Sequence, residues 1–253
     1  TNPCVTAETW IHTNQGPRQV VDLVGTPFVA RVDGEDWASD SGFFATGRKP
    51  VVKLRTREGH ALRLTTDHKV LAVGRLTRHC RETEWREAGA LKPGDLIVVG
   101  DHRRQPAWEG PGTFEQGYLL GLLIGDGTLK RDAAVLSVWK PRQVVNGPAG
   151  AGVEGVMEAA ERAALTLTHR SDFSGWHEIA GRSEWRLKLA ALKELACRFG
   201  MTPDDTCIGP AAERTSSVFH RGILRGLFDS DGSVQGSQLK GASVRLAQSD
   251  LAR

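Results

Sequence analysis

The chain has 253 residues and carries 33 lysine and arginine residues against 30 aspartate and glutamate, a formal net charge of +3 at pH 7. That length accommodates one large domain or two small ones with real cores, which excludes a bare binding peptide. A hydrophobic fraction of 40% with 25% charged residues excludes an intrinsically disordered chain, and so small a net charge makes no case by itself for nucleic acid.

Residues 5–100 read as short β segments: Val20–Val24, Phe28–Val32, Val51–Arg55, Ala61–Leu64, Val70–Val73 and Leu96–Val99. The turn markers Asn14-Gln15-Gly16-Pro17, Asp33-Gly34 and Lys92-Pro93-Gly94-Asp95 separate them at close intervals, which is the spacing of an all-β module. Asp101–Thr113, with Gln105-Pro106 and Gly110-Pro111-Gly112, is the expected linker. From Phe114 onward helices alternate with short strands. Apolar positions recur at helical spacing in Val153–Leu165 and Trp185–Phe199, and Thr202-Pro203-Asp204-Asp205 closes the second of these.

The longest nearly uncharged apolar stretch, Tyr118–Gly125, is far below the roughly 18–20 residues of a membrane helix, so no bilayer span is expected. The N-terminal residues show no basic region followed by an apolar core. The four cysteines (Cys4, Cys80, Cys197 and Cys207) form neither a CxxC pair nor a disulfide framework. A reducing cytoplasm is the expected compartment, and structural zinc is not expected.

The second region contains an internal repeat. Phe114–Leu129 (FEQGYLLGLLIGDGTL) aligns without gaps on Phe219–Val234 (FHRGILRGLFDSDGSV) with seven identities in sixteen positions, at a constant offset of 105. Each copy reads as an apolar helix with small residues four apart, Gly121 and Gly125 in the first and Gly226 and Ser230 in the second. Glycine inside a helix costs about 1 kcal/mol against alanine, so these placements require a compensating contact. Small residues four apart let two backbones approach, and the copies are expected to pack on each other as a pseudo-twofold pair. Each helix ends in Asp-Gly, Asp126-Gly127 and Asp231-Gly232. The glycines suit a left-handed cap. The aspartates face the negative end of the helix dipole, a placement that makes sense if cations bind there.

Here the sequence resembles a known family. Leu119–Gly127 (LLGLLIGDG) and Leu224–Gly232 (LRGLFDSDG) look like the two LAGLIDADG motifs of homing endonucleases. The resemblance implies two pseudo-symmetric αββαββα lobes, with the paired helices at their interface. It also implies a divalent metal, Mg²⁺, held by Asp126 and Asp231, and a double-stranded DNA target. Asp229 fits the motif too, but Ile124 stands at the corresponding place in the first copy. Hydrolysis of phosphodiesters suits a hard cation held by carboxylates. Val135–Lys140 and the basic stretch Arg182–Lys193 are candidate contributors to a DNA surface.

The N-terminal module carries a second resemblance. Cys4-Val5 with Ala7-Glu8-Thr9, Leu62–Leu71 (LRLTTDHKVL) and Trp85–Val98 (WREAGALKPGDLIV) look like blocks of the intein and hedgehog type autoprocessing (Hint-like) fold. The match implies Cys4 as the nucleophile on the Pro3 carbonyl, with Thr65 and His68 as a TxxH pair and no cofactor. The chemistry needs an ionisable sulfur and a histidine able to protonate the departing amide nitrogen.

Together the resemblances imply a multi-domain protein, an intein interrupted by a LAGLIDADG endonuclease. Residues 1–3 are then the remnant of the upstream host segment (extein), 4–100 the splicing domain, 101–113 the linker and 114–253 the α+β endonuclease domain. An Asn-Pro-Cys junction suits the active-site segment of a ribonucleotide reductase. No His-Asn dipeptide occurs, and only 22 residues follow Asp231. The expectation is therefore a chain truncated at its C-terminus, with an incomplete second lobe and a missing C-terminal intein segment as partner. Two alternatives stand beside this one: an autoprocessing protein that only cleaves itself, and a LAGLIDADG-like DNA-binding module that no longer cuts.

Overall fold

A computed structural model describes residues 3–100, 106–140, 151–237 and 241–246. The chain divides into two compact units, Thr1–Pro106 and Ala107–Arg253.

The first unit is built from antiparallel hairpins. Strands β1 (Trp10–Thr13), β2 (Gly16–Gln19), β3 (Phe28–Val32) and β4 (Glu35–Ser39) form one sheet in the order β2-β1-β3-β4. Strand β5 (Val52–Arg55) pairs with β6 (Ala61–Leu64), and β7 (Lys69–Leu76) with β8 (Arg81–Glu87). The β3–β4 connection is Asp33-Gly34 with φ of 52° and 88°, the two-residue turn whose twist matches that of the strands it joins. Two expected strands are absent. Val20–Leu23 is a 3-10 turn, because its buried residues Val20 and Leu23 lie three apart and so share one face of that turn. Leu96–Val99 makes only a single bridge, Ala72 to Ile97, alongside a β7 whose other edge β8 already occupies.

The second unit begins with α1 (Phe114–Asp126), β9 (Gly127–Leu129), β10 (Ala134–Trp139), α2 (Ala151–Leu165), β11 (Trp176–Ile179), β12 (Glu184–Leu189) and α3 (Ala190–Arg198), the order αββαββα. Its four strands form one antiparallel sheet, β11-β12-β10-β9. Helix α4 (Ser217–Asp231) and strands β13 (Gly232–Ser237) and β14 (Gly241–Leu246) then repeat the first three elements, and β13 pairs with β14. The expected helix Trp185–Phe199 starts instead as strand β12. Leu187 and Leu189 are buried while Lys188 between them is exposed, and this two-residue alternation decides its first half.

Helix α1 is buried over the whole run Gly117–Leu123. Its leucines join Leu136, Leu187, Leu192 and Leu195 in the core, and its glycines face α4. A helix packed on two sides is apolar all round rather than amphipathic. Thr113 and Gln116 close a capping box at its start, and the Ser216 hydroxyl accepts from Phe219 N at the start of α4. Within the segment read as a linker, Asp101–Gln105 lies outside the described residues. Trp108 Nε1 donates to Thr215 O at 2.8 Å and Ser216 Oγ to Gly112 O at 2.9 Å, which ties residues 107–113 to the second unit. No helix among the described residues is long and apolar enough to cross a membrane.

Candidate functional site

Helices α1 and α4 touch backbone to backbone. A Cβ on Gly121 would overlap the Ile223 carbonyl oxygen and stand 3.0 Å from Gly226 Cα; one on Gly226 would overlap Tyr118 O and stand 2.7 Å from Leu122 N. One step back, Gly117 meets Phe219 and Ile223 where Gly222 meets Phe114 and Tyr118. Each contact is thus reproduced after a shift of 105 residues in both partners, which is what a local twofold produces. The sequence reading named the 121/226 and 125/230 pairs and missed the 117/222 pair, although the same four-residue spacing extends to it.

The glycines that follow the two helices do not adopt the expected left-handed cap. Gly127 has φ −98° and Gly232 φ −73°, so each helix runs directly into an extended strand. Space excludes a side chain there: a Cβ on Gly127 would stand 2.5 Å from Leu123 Cα, and one on Gly232 2.9 Å from the Phe228 carbonyl carbon.

This straight exit leaves Asp126 and Asp231 at adjacent helix ends. Asp231 Oδ2 reaches across to α1, 3.3 Å from where a Cβ of Gly125 would sit. Burial chiefly, and then the charge of Asp231, hold the Asp126 carboxyl above its ordinary range. Two carboxylates that repel each other at the negative ends of two helix dipoles form a locus that a cation would relieve. Among the described residues no group of three or more His, Cys, Asp or Glu side chains gathers to hold a metal. The donor set still fits Mg²⁺, a hard ion commonly held by one or two carboxylates while water and phosphate oxygens supply the rest. Asp229 is committed elsewhere, accepting from Tyr118 Oη at 2.9 Å and Arg225 Nε at 2.7 Å.

Beside Asp126 lies a cleft of about 670 Å³ lined in part by Ser137, Trp139, Arg162, Trp176 and Arg225. The register Val135↔Lys188 and Ser137↔Arg186↔His177 puts these five strand residues on the sheet face opposite the buried Leu136–Leu187 pair, whereas Trp176, paired with Leu187, shares the face of that pair. The basic groups on this face are partly neutralised: Lys188 pairs with Asp132 at 2.6 Å, and Arg186 with Glu184 at 2.6 Å. The Arg186 hydrogen bond holds the Glu184 carboxyl below its ordinary range. Of these positions Val135, Ser137, Arg186 and Lys188 fall in the stretches picked out by sequence, whereas His177 carries no recognisable pattern.

In the first unit, Cys4 is clamped to the turn after β6. Its N–H donates to Thr65 Oγ1 at 3.0 Å and its carbonyl accepts from Thr65 N at 2.9 Å. Thr65 is buried, and His68 N donates to Thr65 O at 3.1 Å, which places the imidazole on the same turn. His68 Nδ1 is the one buried side-chain polar atom without a hydrogen-bond partner among the described residues. Around the sulfur stand two residues that sequence reasoning missed: Thr46 Oγ1 at 3.2 Å and Lys49 Nζ at 3.4 Å from Sγ. Neither belongs to a motif, and a separation of more than forty residues hides them.

Comparison with known proteins bears on the repeat. Residues 219–252 match a LAGLIDADG-like domain. That domain covers α4 and the β13–β14 hairpin and points to a homing endonuclease or DNA-binding module. The chain is also 38% identical over 85 residues to the replicative DNA helicase DnaB of Rhodothermus marinus, a match covering 33% of this chain and 8% of the helicase. It is 22% identical over 261 residues to the ribonucleoside-diphosphate reductase NrdEB subunit alpha of Bacillus subtilis (strain 168), covering 92% of this chain and 22% of that subunit. The same figures hold for the nrdEB subunit of Bacillus phage SPbeta. The chain therefore spans less than a quarter of the length of these relatives.

Proposed function

We propose that this chain is a protein-splicing element of the intein and hedgehog autoprocessing type, carrying a site-specific LAGLIDADG homing endonuclease that cuts double-stranded DNA. The observation that carries the nuclease reading is the glycine-to-glycine contact of α1 and α4, which delivers Asp126 and Asp231 to adjacent helix ends. The splicing reading rests on the Cys4 backbone clamped to the Thr65–His68 turn. The relatives support an inserted element. A helicase and a reductase share no activity, yet the reductase match covers 92% of this chain and so overlaps the helicase match. A segment common to both belongs to neither activity.

In the acyl shift, Cys4 Sγ attacks the Pro3 carbonyl carbon, the Pro3–Cys4 amide bond breaks, and a thioester replaces it. Thr65 Oγ1 holds the departing nitrogen in place, and His68 is the group that protonates it. Flanking host segments are the partners that splicing would join. A cytoplasmic setting suits four cysteines that form no disulfide framework. In the nuclease, Asp126 and Asp231 would hold Mg²⁺, and the α1–α4 contact fixes their separation. When bound, the ion would offset charge on the scissile phosphate and favour attack by water. The outward face of the β9–β12 sheet, with Ser137, His177 and Arg186, meets the DNA groove.

Two experiments test the reading. A plasmid bearing the uninterrupted host gene is incubated with the protein with and without Mg²⁺. Linearisation only with Mg²⁺ is expected, while specific binding without cleavage would establish the DNA-binding alternative. Separately, a small thiol should release Thr1-Asn2-Pro3 as a mass loss that Cys4→Ala abolishes.

A further inference from the structure

The two groups on the Cys4 sulfur differ in kind. Thr46 can donate or accept a hydrogen bond, but the Lys49 ammonium, 3.4 Å from Sγ, can only donate. A thiolate accepts and has no proton to offer, so an obligate donor at this position matches the anion better than the neutral thiol. The backbone cannot drift away from this partner, because Thr65 grips both the N–H and the carbonyl of Cys4. Sulfur and amide nitrogen, the bond-forming and bond-breaking atoms of the acyl shift, are thereby held by different residues. Other charged groups come from the same surroundings. The stretch preceding β5 brings Arg48 beside Lys49, and the turn after β6 brings Asp67 and His68. Strand β6 brings Arg63, which is paired with Glu8 at 2.9 Å. Lys49 is a cation in direct contact with the sulfur.

We propose that Lys49 is a catalytic residue of the acyl shift, its ammonium, 3.4 Å from Sγ, stabilising the negative charge that the Cys4 sulfur carries as it attacks the Pro3 carbonyl. This rests on the reading of Cys4 as the nucleophile. The step is an isomerisation: one S–C bond forms, one C–N bond breaks, the sulfur gives its proton to solvent, and the nitrogen takes one from His68, which solvent restores. Lys49 exchanges no proton in the step, and no co-reactant is needed.

The test uses the full chain as wild type, Lys49→Met and Lys49→Arg. Alkylation of Cys4 by iodoacetamide is followed by peptide mass from about pH 6.5 to 9.5, with the exposed Cys80, Cys197 and Cys207 as internal references. Lys49→Met should slow Cys4 alkylation about tenfold near pH 7. Lys49→Arg should keep most of the wild-type rate. Equal rates for wild type and Lys49→Met overturn the assignment. On the same proteins, thiol-induced release of Thr1-Asn2-Pro3 should slow in Lys49→Met, and equal rates overturn the catalytic role. If wild type releases no more than Cys4→Ala, the acyl-shift reading itself fails, and the catalytic role of Lys49 fails with it.

Discussion

Tyr118 on α1 donates its hydroxyl to Asp229 on α4 at 2.9 Å, and Arg225 donates to the same carboxylate oxygen at 2.7 Å. The bridge breaks the twofold of the helix pair. The repeat places Ile223 where the first copy has Tyr118, and Ile124 where the second has Asp229. Burial chiefly, and then the Asp229 charge, hold the Tyr118 phenol well above its ordinary range, so it remains a donor at all working pH. Tyr118→Phe leaves Asp229 with Arg225 alone. We expect a loss of about 1.5 kcal/mol, the lower end for a hydrogen bond to a charged group. In a chain of this size that is roughly 3–6 °C in Tm, read by thermal denaturation. An unchanged Tm would remove the bridge from the account of the interface.

Glycine to alanine should change sign with position. At Gly226 the new methyl meets Tyr118 O and Leu122 N, both backbone atoms that cannot turn aside. The helices must separate, at a cost of about 1–3 kcal/mol that outweighs the roughly 1 kcal/mol of helix propensity gained. At Gly155 in α2 nothing lies within 4 Å of the new methyl, so alanine should stabilise by about 0.5–1 kcal/mol. Denaturant midpoints of the two variants check this, and equal signs would contradict the close contact.

Much of this interface was legible in the sequence, because an ungapped repeat forces two copies of one element to share one environment, and small residues at four-residue spacing admit only another backbone. Asp126 and Asp231 followed from the same register. The caps were misread because Asp-Gly is a local turn signal, whereas at Gly127 and Gly232 a steric limit set by Leu123 and Phe228 requires the glycine. Helical periodicity over Trp185–Phe199 was misleading because Leu189 serves both the strand alternation of β12 and the helical spacing of α3. Thr46 and Lys49 could not be found from sequence, since long-range pairing alone brings them to Cys4.

Asp126 gives a pH-dependent signature. Its folded-state pKa is raised, by burial first and Asp231 second, so the folded chain binds that proton more tightly than the unfolded chain does. Stability from this group is therefore full below the unfolded value of about 3.9 and declines as pH rises through the folded value. At neutral pH the ionised carboxylate opposes folding. Asp126→Asn should then slightly raise Tm in metal-free buffer, the gain being limited because the side chain is partly solvated. Millimolar Mg²⁺ should raise the wild-type Tm by mass action and leave Asp126→Asn nearly unchanged. A variant less stable than wild type in chelator would contradict the repulsion, and equal responses to Mg²⁺ would contradict the metal assignment.

Thr65 and His68 should separate by the size of their kinetic effects. Thr65 Oγ1 accepts the Cys4 N–H at 3.0 Å and fixes the nitrogen that must leave. Thr65→Val keeps the buried shape but loses that acceptor. Release of Thr1-Asn2-Pro3 by thiol should slow about tenfold, the kinetic equivalent of one hydrogen bond of roughly 1.4 kcal/mol. His68 carries the proton transfer in the proposed mechanism, and His68→Ala should slow release by about 10²–10⁴. The orphaned Nδ1 of His68 predicts that this variant loses no hydrogen bond at that atom, and that removing it relieves an unpaired buried group. A His68→Ala protein that unfolds cooperatively near the wild-type Tm yet fails to release the tripeptide would assign the residue to chemistry. Release at the wild-type rate would remove it from the mechanism.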